Sequence, residues 1–354
     1  MIIQLLPTIS YGDAVSNDAI ALKGAIERLG YKTEIYADTS DKRLPKNMVK
    51  PVSKLPKLGK DDVVIYHMAI GAELNYTFGN MECKKVMIYH NITPPEFFEK
   101  YNLGATNLTK EGYKAVKWLA DKVDYCIADS EYNKNDLIKM GYKCQIDVLP
   151  IMIPFDDYRK EPDSEVIKKY KDGYTNILFT GRIAPNKCQE DVIRSFAYYK
   201  KYYNKKSRLI LVGSEGIFTN YKERLEKYID MMDLEDVIFS GHIKFSEILA
   251  FYKVADVFLC QSEHEGFCVP IVEAMFFGIP IVAYNSSAIG DTMGIGGILL
   301  NDKNALETAG VIDYVVKNED IRKKILENQR IKLLDYDYEA IFKQFEQILN
   351  KILA

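Results

Sequence analysis

The chain has 354 residues, 47% of them apolar and 27% charged, with a net charge of −3. That length favours two domains, the apolar content suffices for real cores, and the dispersed charge excludes nucleic acid as the main partner. No apolar run approaches the ~20 residues that span a bilayer, and the start, Met1 to Pro7, lacks the basic end and longer apolar core of a secretory signal. Six cysteines without a Cys-x-x-Cys pair fit reduced, buried thiols in a cytoplasmic protein and argue against a structural zinc site.

Ile2-Ile3-Gln4-Leu5-Leu6 reads as a first strand, followed by a loop from Pro7 to Ser16 that contains Gly12. Asn17 or Asp18 is placed to cap a helix in which Ala19, Leu22, Ile26 and Leu29 recur at helical spacing. Gly30 ends that helix and Thr33-Glu34-Ile35-Tyr36 is the next strand. This β–loop–α–β unit opens a parallel, doubly wound sheet. Further strands are expected at 63–67, 86–90 and 125–128. His67, His90 and the Asp129-Ser130 pair fall at strand C-termini, the edge where such sheets bind ligands. Any one of them alone is most simply a capping or packing residue; three at one edge point to a cleft lining.

Residues 41–60 form a basic stretch, with Lys42, Arg43, Lys46, Lys50, Lys54, Lys57 and Lys60 set against Asp41 alone. A solvated loop is the simpler account, and contact with anionic lipid headgroups or a lipid-diphosphate acceptor is the alternative. Pro150, Pro154 and the polar segment 156–163 suggest a linker. A second alternating series then begins, with strands at 176–181, 209–212, 237–239, 257–260 and 281–283 and helices at 188–203 and 244–254. The organisation is two consecutive α/β domains, 1–155 and 165–335, followed by a last helix within 336–354. Its stripe of Ile341, Phe342, Phe345, Ile348, Leu349 and Ile352 needs a partner surface, and either domain can supply one, the N-terminal included.

Two stretches carry chemistry. In the first, Gly181 permits close backbone approach, Arg182 offers a planar fork of donors and Lys187 a compact charge. Two cations on one strand-to-helix loop suit a departing diphosphate. In the second, Cys260 to Met275, a buried strand leads through Glu265 and Gly266 to a helix that Pro270 is suited to begin. A strand, a glycine turn and a helix N-terminus make an anion site. Glu265 and Glu273 have seven residues between them. On one continuous helix they would stand about 80° apart around the axis and about 12 Å apart along it. With Pro270 beginning the helix, Glu265 stays on the incoming loop and both can look into one cleft.

Taken together, Gly181-Arg182…Lys187, Phe239-Ser240-Gly241, Ser262…Glu265-Gly266-Phe267…Pro270…Glu273-Ala274-Met275 and Gly278-Ile279-Pro280 strongly resemble the retaining glycosyltransferases of family 4. The resemblance covers the C-terminal half; in the N-terminal half Gly12, His90 and Ala128-Asp129-Ser130 fit more loosely. It implies the GT-B fold, two Rossmann-like doubly wound domains facing each other across a cleft. The implied activity is transfer of a hexose from a nucleotide sugar, UDP- or GDP-linked, to a glycan, glycolipid or lipid-linked acceptor in cell-surface polysaccharide synthesis. No cofactor and no metal are expected, and the cysteine usage points to a cytoplasmic location; peripheral contact at the inner face of the membrane is the alternative reading of the basic stretch 41–60.

The same resemblance assigns roles. Arg182 and Lys187 bind the diphosphate, with Gly181 beside them. Glu273 accepts hydrogen bonds from the ribose, and Glu265 lies against the transferred sugar. Backbone groups of Gly266, Phe267 and Cys268 meet phosphate or sugar. Gly241, His242 and Ile243 hold the base, His90 lines the acceptor side near the anomeric carbon, and Gly12 lets the first loop approach. Asp291 stands where the family often has Glu. Asp335-Tyr336-Asp337 imitates a manganese motif, but Asp337 is placed to cap the last helix. A sugar-nucleotide 2-epimerase of the same fold and a non-catalytic nucleotide-sugar-binding subunit are the alternative readings. An epimerase changes the sugar without an acceptor, whereas a transferase releases nucleoside diphosphate.

Overall fold

The computed structural model describes residues 1–354 and divides into two compact units. Unit 1 comprises Met1–Glu96, Gly104–Pro154 and Tyr336–Ala354; unit 2 comprises Phe97–Leu103 and Phe155–Asp335. The short segment 97–103 thus belongs with the second unit although it lies early in the chain. No helix is long and apolar enough to cross a membrane.

Along unit 1 run β1 (Ile2–Ile9), α1 (Ala14–Arg28), β2 (Thr33–Ser40), β3 (Val49–Pro51), β4 (Val63–Met68), α2 (Glu73–Gly79), β5 (Lys84–Tyr89), α3 (Leu103–Leu119), β6 (Tyr125–Ala128), α4 (Glu131–Lys139) and β7 (Gln145–Val148). Unit 2 contains α5 (Phe155–Tyr158), α6 (Ser164–Tyr170), β8 (Thr175–Thr180), α7 (Gln189–Tyr202), β9 (Ser207–Val212), α8 (Thr219–Met231), β10 (Val237–Phe239), α9 (Phe245–Val254), β11 (Val257–Cys260), α10 (Val269–Phe276), β12 (Ile281–Tyr284), α11 (Ile289–Met293), β13 (Ile298–Leu300), α12 (Ala305–Lys317) and α13 (Glu319–Leu333). The last helix, α14 (Tyr338–Leu353), returns to unit 1.

Each unit is a parallel sheet, ordered β3-β2-β1-β4-β5-β6-β7 in the first and β10-β9-β8-β11-β12-β13 in the second. Both are Rossmann-like: the chain winds one way from the central strand and then restarts on the other side. The direction therefore reverses between β1 and β4, and between β8 and β11. Crevices at such switch points, outside the strand C-termini, are where open α/β sheets bind ligands.

Alternation along the strands builds two cores in unit 1. Ile3, Leu5, Val64, Tyr66, Met87, Tyr89 and Cys126 face one way, onto Leu74, Phe78, Val116 and Leu137 of the helices. Ile2, Ile65, Val86, Ile88 and Ile127 face the other way, onto Leu22 and Ile26 of α1 and onto Ile341, Phe345, Ile348, Leu349 and Ile352. The apolar stripe of α14 is therefore buried on the unit 1 sheet. Arg28 reinforces it, lying 3.9 Å from the Phe342 ring and holding Glu339 at 2.7 and 2.9 Å.

Several local expectations are corrected. The first helix is capped by Asp13, which accepts from the Ser16 N–H at 3.1 Å, and not by Asn17 or Asp18. Asp18 is buried and bonds the Met152 N–H at 3.0 Å. The basic stretch 41–60 is not all loop, because Val49–Pro51 pairs with β2 as an edge strand. Residues 156–163 are only partly linker, since Phe155–Tyr158 forms a short helix. Strands β7 and β13 lie beyond the elements read from the sequence; the short Gln145–Val148 alternates weakly and Ile298–Leu300 sits only half-buried at a sheet edge.

Candidate functional site

The loops after β8 and β11 flank the switch point of unit 2, and several bonds stitch them together. The Asn186 amide donates to the His264 carbonyl at 3.0 Å, and the Glu263 N–H donates to the Asn186 carbonyl at 2.9 Å. Gln189, fully buried, donates to the Arg182 carbonyl at 2.9 Å. Across this seam the Lys187 ammonium donates to both oxygens of Glu265, at 2.7 and 2.6 Å. The side chains are 18% and 8% exposed, so the pair is largely withdrawn from water. Burial alone would depress the Lys187 pKa, but the Glu265 carboxylate outweighs it and lifts the pKa above the ordinary lysine value. Arg182 is exposed and its guanidinium has no protein partner, so a strong fork of donors remains available on the same loop.

Gly181 lies at φ 141°, a backbone state that other residues rarely take, and the strand-end Gly213 at φ 142° backs it. A Cβ on Gly213 would stand 2.1 Å from the Gly181 carbonyl oxygen. Gly213, Asn186 and Gln189 are positioning residues the sequence reading did not single out. A glycine directly after an apolar strand, Val212-Gly213, was the available signal. The amide contacts have none, because they depend on which loop lies opposite.

The Glu265 segment is held from the far side by the turn before α11. Ser287 accepts from the Glu265 N–H at 2.8 Å, Ser286 donates to the Ser262 carbonyl at 2.6 Å and the Ala288 N–H reaches the Glu265 carbonyl at 3.3 Å. Phe267 and Cys268 are buried, Gly266 is half-buried, and Cys268 takes φ 75° to turn the chain into α10. Pro270 does sit in the first turn of α10, and no side chain caps that N-terminus. Burial pushes the His264 pKa down to about 4, with Lys187 adding to the effect, so its imidazole is neutral.

Glu273, on α10, is half-buried, and both its oxygens accept from tyrosines: Oε1 from Tyr158 at 2.5 Å and Oε2 from Tyr252. Burial raises its pKa and the two hydroxyls act against that rise. Gly241, at φ 65°, bridges to Gly213; His242 is exposed and Ile243 is half-buried against the unit 2 core. Asp291 is exposed on α11.

In unit 1 the predicted residues come together but close on one another. His90 Nδ1 lies 2.8 Å from Asp129, His90 Nε2 lies 2.8 Å from His67 Nδ1, and His67 Nε2 lies 2.9 Å from the Gln4 carbonyl oxygen. The Gln4 amide donates to Ala19 O at 2.9 Å, which fixes its orientation. Gln4 Oε1 can only accept, so His67 carries its proton on Nε2 and accepts at Nδ1. His90 must then donate from Nε2. Burial opposes charge on His90, but Asp129 outweighs it and raises the pKa, which favours the doubly protonated ring. His67 is driven well below the ordinary value by burial and by His90, and stays neutral. Burial pushes the neighbouring Asp18 up to about 7. His90 sits just past the C-terminal end of β5 with both ring nitrogens engaged by protein groups and its side chain 1% exposed. Gly12, at φ 77°, has open space where a Cβ would be, so only its backbone angle calls for glycine.

Asp18, His67 and His90 place possible ligand atoms within 4.8 Å of one another, as do Cys260, Glu265 and Cys268, and Cys188, Asp191 and Glu263. The 2.8 Å histidine contact is a hydrogen bond, shorter than the ~3.3 Å between two nitrogens on one tetrahedral zinc. Glu265 already holds Lys187, and Asp191 and Glu263 each hold Lys303 at 2.8 Å. Asp337 caps α14 by accepting from Glu339 and Ala340, and Asp335 pairs with Lys332 at 3.0 Å. The manganese-like motif is thus a helix start.

Residues 160–332 match the sequence profile of glycosyl transferases group 1. Unit 2 belongs to the group 1 glycosyl transferases. An uncharacterised glycosyltransferase of Methanocaldococcus jannaschii is 24% identical over 289 residues, 79% of this chain and 72% of that protein. The alpha-monoglucosyldiacylglycerol synthase of Acholeplasma laidlawii is 27% identical over 267 residues, 68% of this chain and 63% of that protein. The crystal structure of Anabaena HepE in complex with UDP-glucose superposes with a TM-score of 0.77 at 18% identity, covering 99% of this chain and 100% of that one. The two Rossmann-like units are those of the GT-B fold.

Proposed function

We propose that the chain is a metal-independent, retaining hexosyltransferase that takes its sugar from a UDP- or GDP-linked donor. The observation that carries this is the stitched pair of loops bearing Arg182, Lys187 and Glu265, with Glu273 on the helix that follows. As the bond from anomeric carbon to phosphate oxygen breaks, its electron pair passes to the diphosphate. Arg182, Lys187 and the uncapped N-terminus of α10 are the groups that would stabilise that charge, and such preorganised donors are usually the largest catalytic term. The acceptor hydroxyl attacks the same face and its proton passes to the departing phosphate, so no carboxylate base is needed. Glu265 has both oxygens committed to an ammonium, which favours a sugar-positioning role over that of a nucleophile. Gly181 would let the backbone come close to the diphosphate, Gly266, Phe267 and Cys268 would contact phosphate or sugar, and Gly241, His242 and Ile243 would hold the base. Gly12 would serve the first loop of unit 1.

The UDP-glucose bound by HepE supports a nucleotide-sugar donor, and the monoglucosyldiacylglycerol product in the name of the Acholeplasma relative supports a lipid-borne or glycan hydroxyl as acceptor. Lys42, Lys46, Lys54, Lys57 and Lys60 are exposed and would meet anionic headgroups at the inner membrane face. The test is a panel of UDP- and GDP-hexoses with glycan and lipid acceptors, with and without a chelator, scoring nucleotide release and product anomer. Release with retained configuration that survives chelation is expected. An inverted product, loss on chelation, or epimerised sugar without acceptor would each contradict the reading. Failure to bind anionic vesicles at low salt would remove the membrane contact.

A further inference from the structure

This inference rests on the reading of Glu273 as the carboxylate that receives the donor's ribose hydroxyls. Glu273 does not stand alone on α10. Tyr158, from the short helix α5, donates to one oxygen at 2.5 Å, and Tyr252, from α9, donates to the other. The Tyr252 oxygen lies 2.6 Å from Thr180 Oγ1. With its only proton given to the carboxylate, Tyr252 must accept there, so the Thr180 hydroxyl is the donor. Thr180 is the last residue of β8 and directly precedes Gly181-Arg182. One chain of hydrogen bonds therefore joins the phosphate loop to the carboxylate of α10.

The two rings have little freedom. Tyr158 is 8% exposed and Tyr252 1%. Tyr252 stacks on Phe277 at 4.9 Å with 4° between planes, and Tyr158 meets Phe245 edge-on at 5.5 Å and Phe276 at 5.9 Å. Their hydroxyls are thus fixed by the aromatic packing of unit 2. An ionised carboxylate has about four acceptor positions. The tyrosines take one on each oxygen and leave one on each, a pair suited to a vicinal diol such as the 2′- and 3′-hydroxyls of ribose.

We infer that Tyr158 and Tyr252 are positioning residues for nucleotide recognition, fixing the Glu273 carboxylate so that each oxygen keeps one acceptor position for the ribose diol. Their hydroxyls also oppose the effect of burial on Glu273. Removing either raises the Glu273 pKa further, so the acid limb of nucleotide binding moves to higher pH. A purely structural role for the rings would leave that limb in place.

The experiment titrates the full chain with UDP and GDP and with their 2′-deoxy counterparts between pH 5 and 8, in wild type, Glu273→Gln, Tyr158→Phe and Tyr252→Phe. Phenylalanine keeps the ring packing, and thermal melts check folding. Wild type should prefer the ribonucleotide by about tenfold, the scale of a hydrogen bond to a charged group. Each tyrosine variant should lose at least about threefold of that preference at the acid end of the range, and its acid limb should lie at higher pH than that of wild type. If Glu273→Gln leaves the preference intact, or neither nucleotide binds, the reading of Glu273 fails and the inference with it. If Glu273→Gln abolishes the preference while both tyrosine variants keep the wild-type ratio and pH limb, the reading stands and this inference is overturned.

Discussion

The same topology appears twice in this chain, and the two switch points are furnished in opposite ways. In unit 1 the polar residues at the crevice saturate one another: Asp129, His90, His67 and Gln4 form an unbroken chain with its donors and acceptors assigned. In unit 2 the charged groups are held but not used up. Arg182 has no protein partner, and Glu273 keeps acceptor positions beyond its two tyrosines. A place at the C-terminal edge of a parallel sheet is therefore not enough to make a residue a ligand group. What separates the two crevices is leftover hydrogen-bonding capacity.

The largest effect that would sharpen this contrast is at Lys187. Lys187→Met removes a cation from the leaving-group side and leaves the buried Glu265 unpaired. Turnover should fall by about 10²–10³-fold, and stability by about 3–5 kcal/mol. Nucleotide-release kinetics and denaturant unfolding measure the two losses, and turnover within threefold of wild type would break the assignment. Gly213→Ala comes next. Its new Cβ must displace the Gly181 carbonyl, and a misplaced site costs on the order of 10²-fold. The loss should appear in donor turnover with the thermal midpoint falling much less; an unchanged turnover would mean that the Gly181 loop is not part of the site.

In unit 1 the expected losses are in stability. His90→Leu strands the buried Asp129 and should cost about 3–5 kcal/mol, with nucleotide affinity unchanged. The smallest effect is spectroscopic. Nitrogen shifts of the histidines should show His90 doubly protonated at neutral pH and His67 neutral with its proton on Nε2. Folding raises the His90 pKa, so its charged pairing stabilises the fold below the ordinary histidine range and that contribution is lost as pH rises through the raised value. The stability difference between wild type and Asp129→Asn should accordingly shrink over that interval. A neutral His90 at pH 6 would contradict the proton assignment.

How much of this was legible in the sequence follows from range. Strands built on continuous apolar runs, such as Val63–Met68 and Ser207–Val212, announce themselves through local pattern, and the glycine, proline and charge spacing at 181–187 and 265–273 locates the unit 2 loops. The strand end that carries His90 is legible, but its hydrogen-bond chain is not, because that depends on Gln4, His67 and Asp129, three residues from three other segments. Tyr158 looked like part of a linker. Only the fold shows its hydroxyl on Glu273. Capping was ambiguous at α1, where Asp13, Asn17 and Asp18 all qualify as residue types and only the chain path selects Asp13.

The contrast between the two units is tested most directly by one titration. Calorimetry of UDP and GDP binding should be run on wild type, Glu273→Gln in unit 2 and Asp129→Asn in unit 1. The account predicts that Glu273→Gln weakens the nucleotide that binds wild type by about tenfold or more, the scale of lost hydrogen bonds to a charge, and that Asp129→Asn leaves its affinity unchanged. Equal weakening by both variants, or weakening by Asp129→Asn alone, would contradict it.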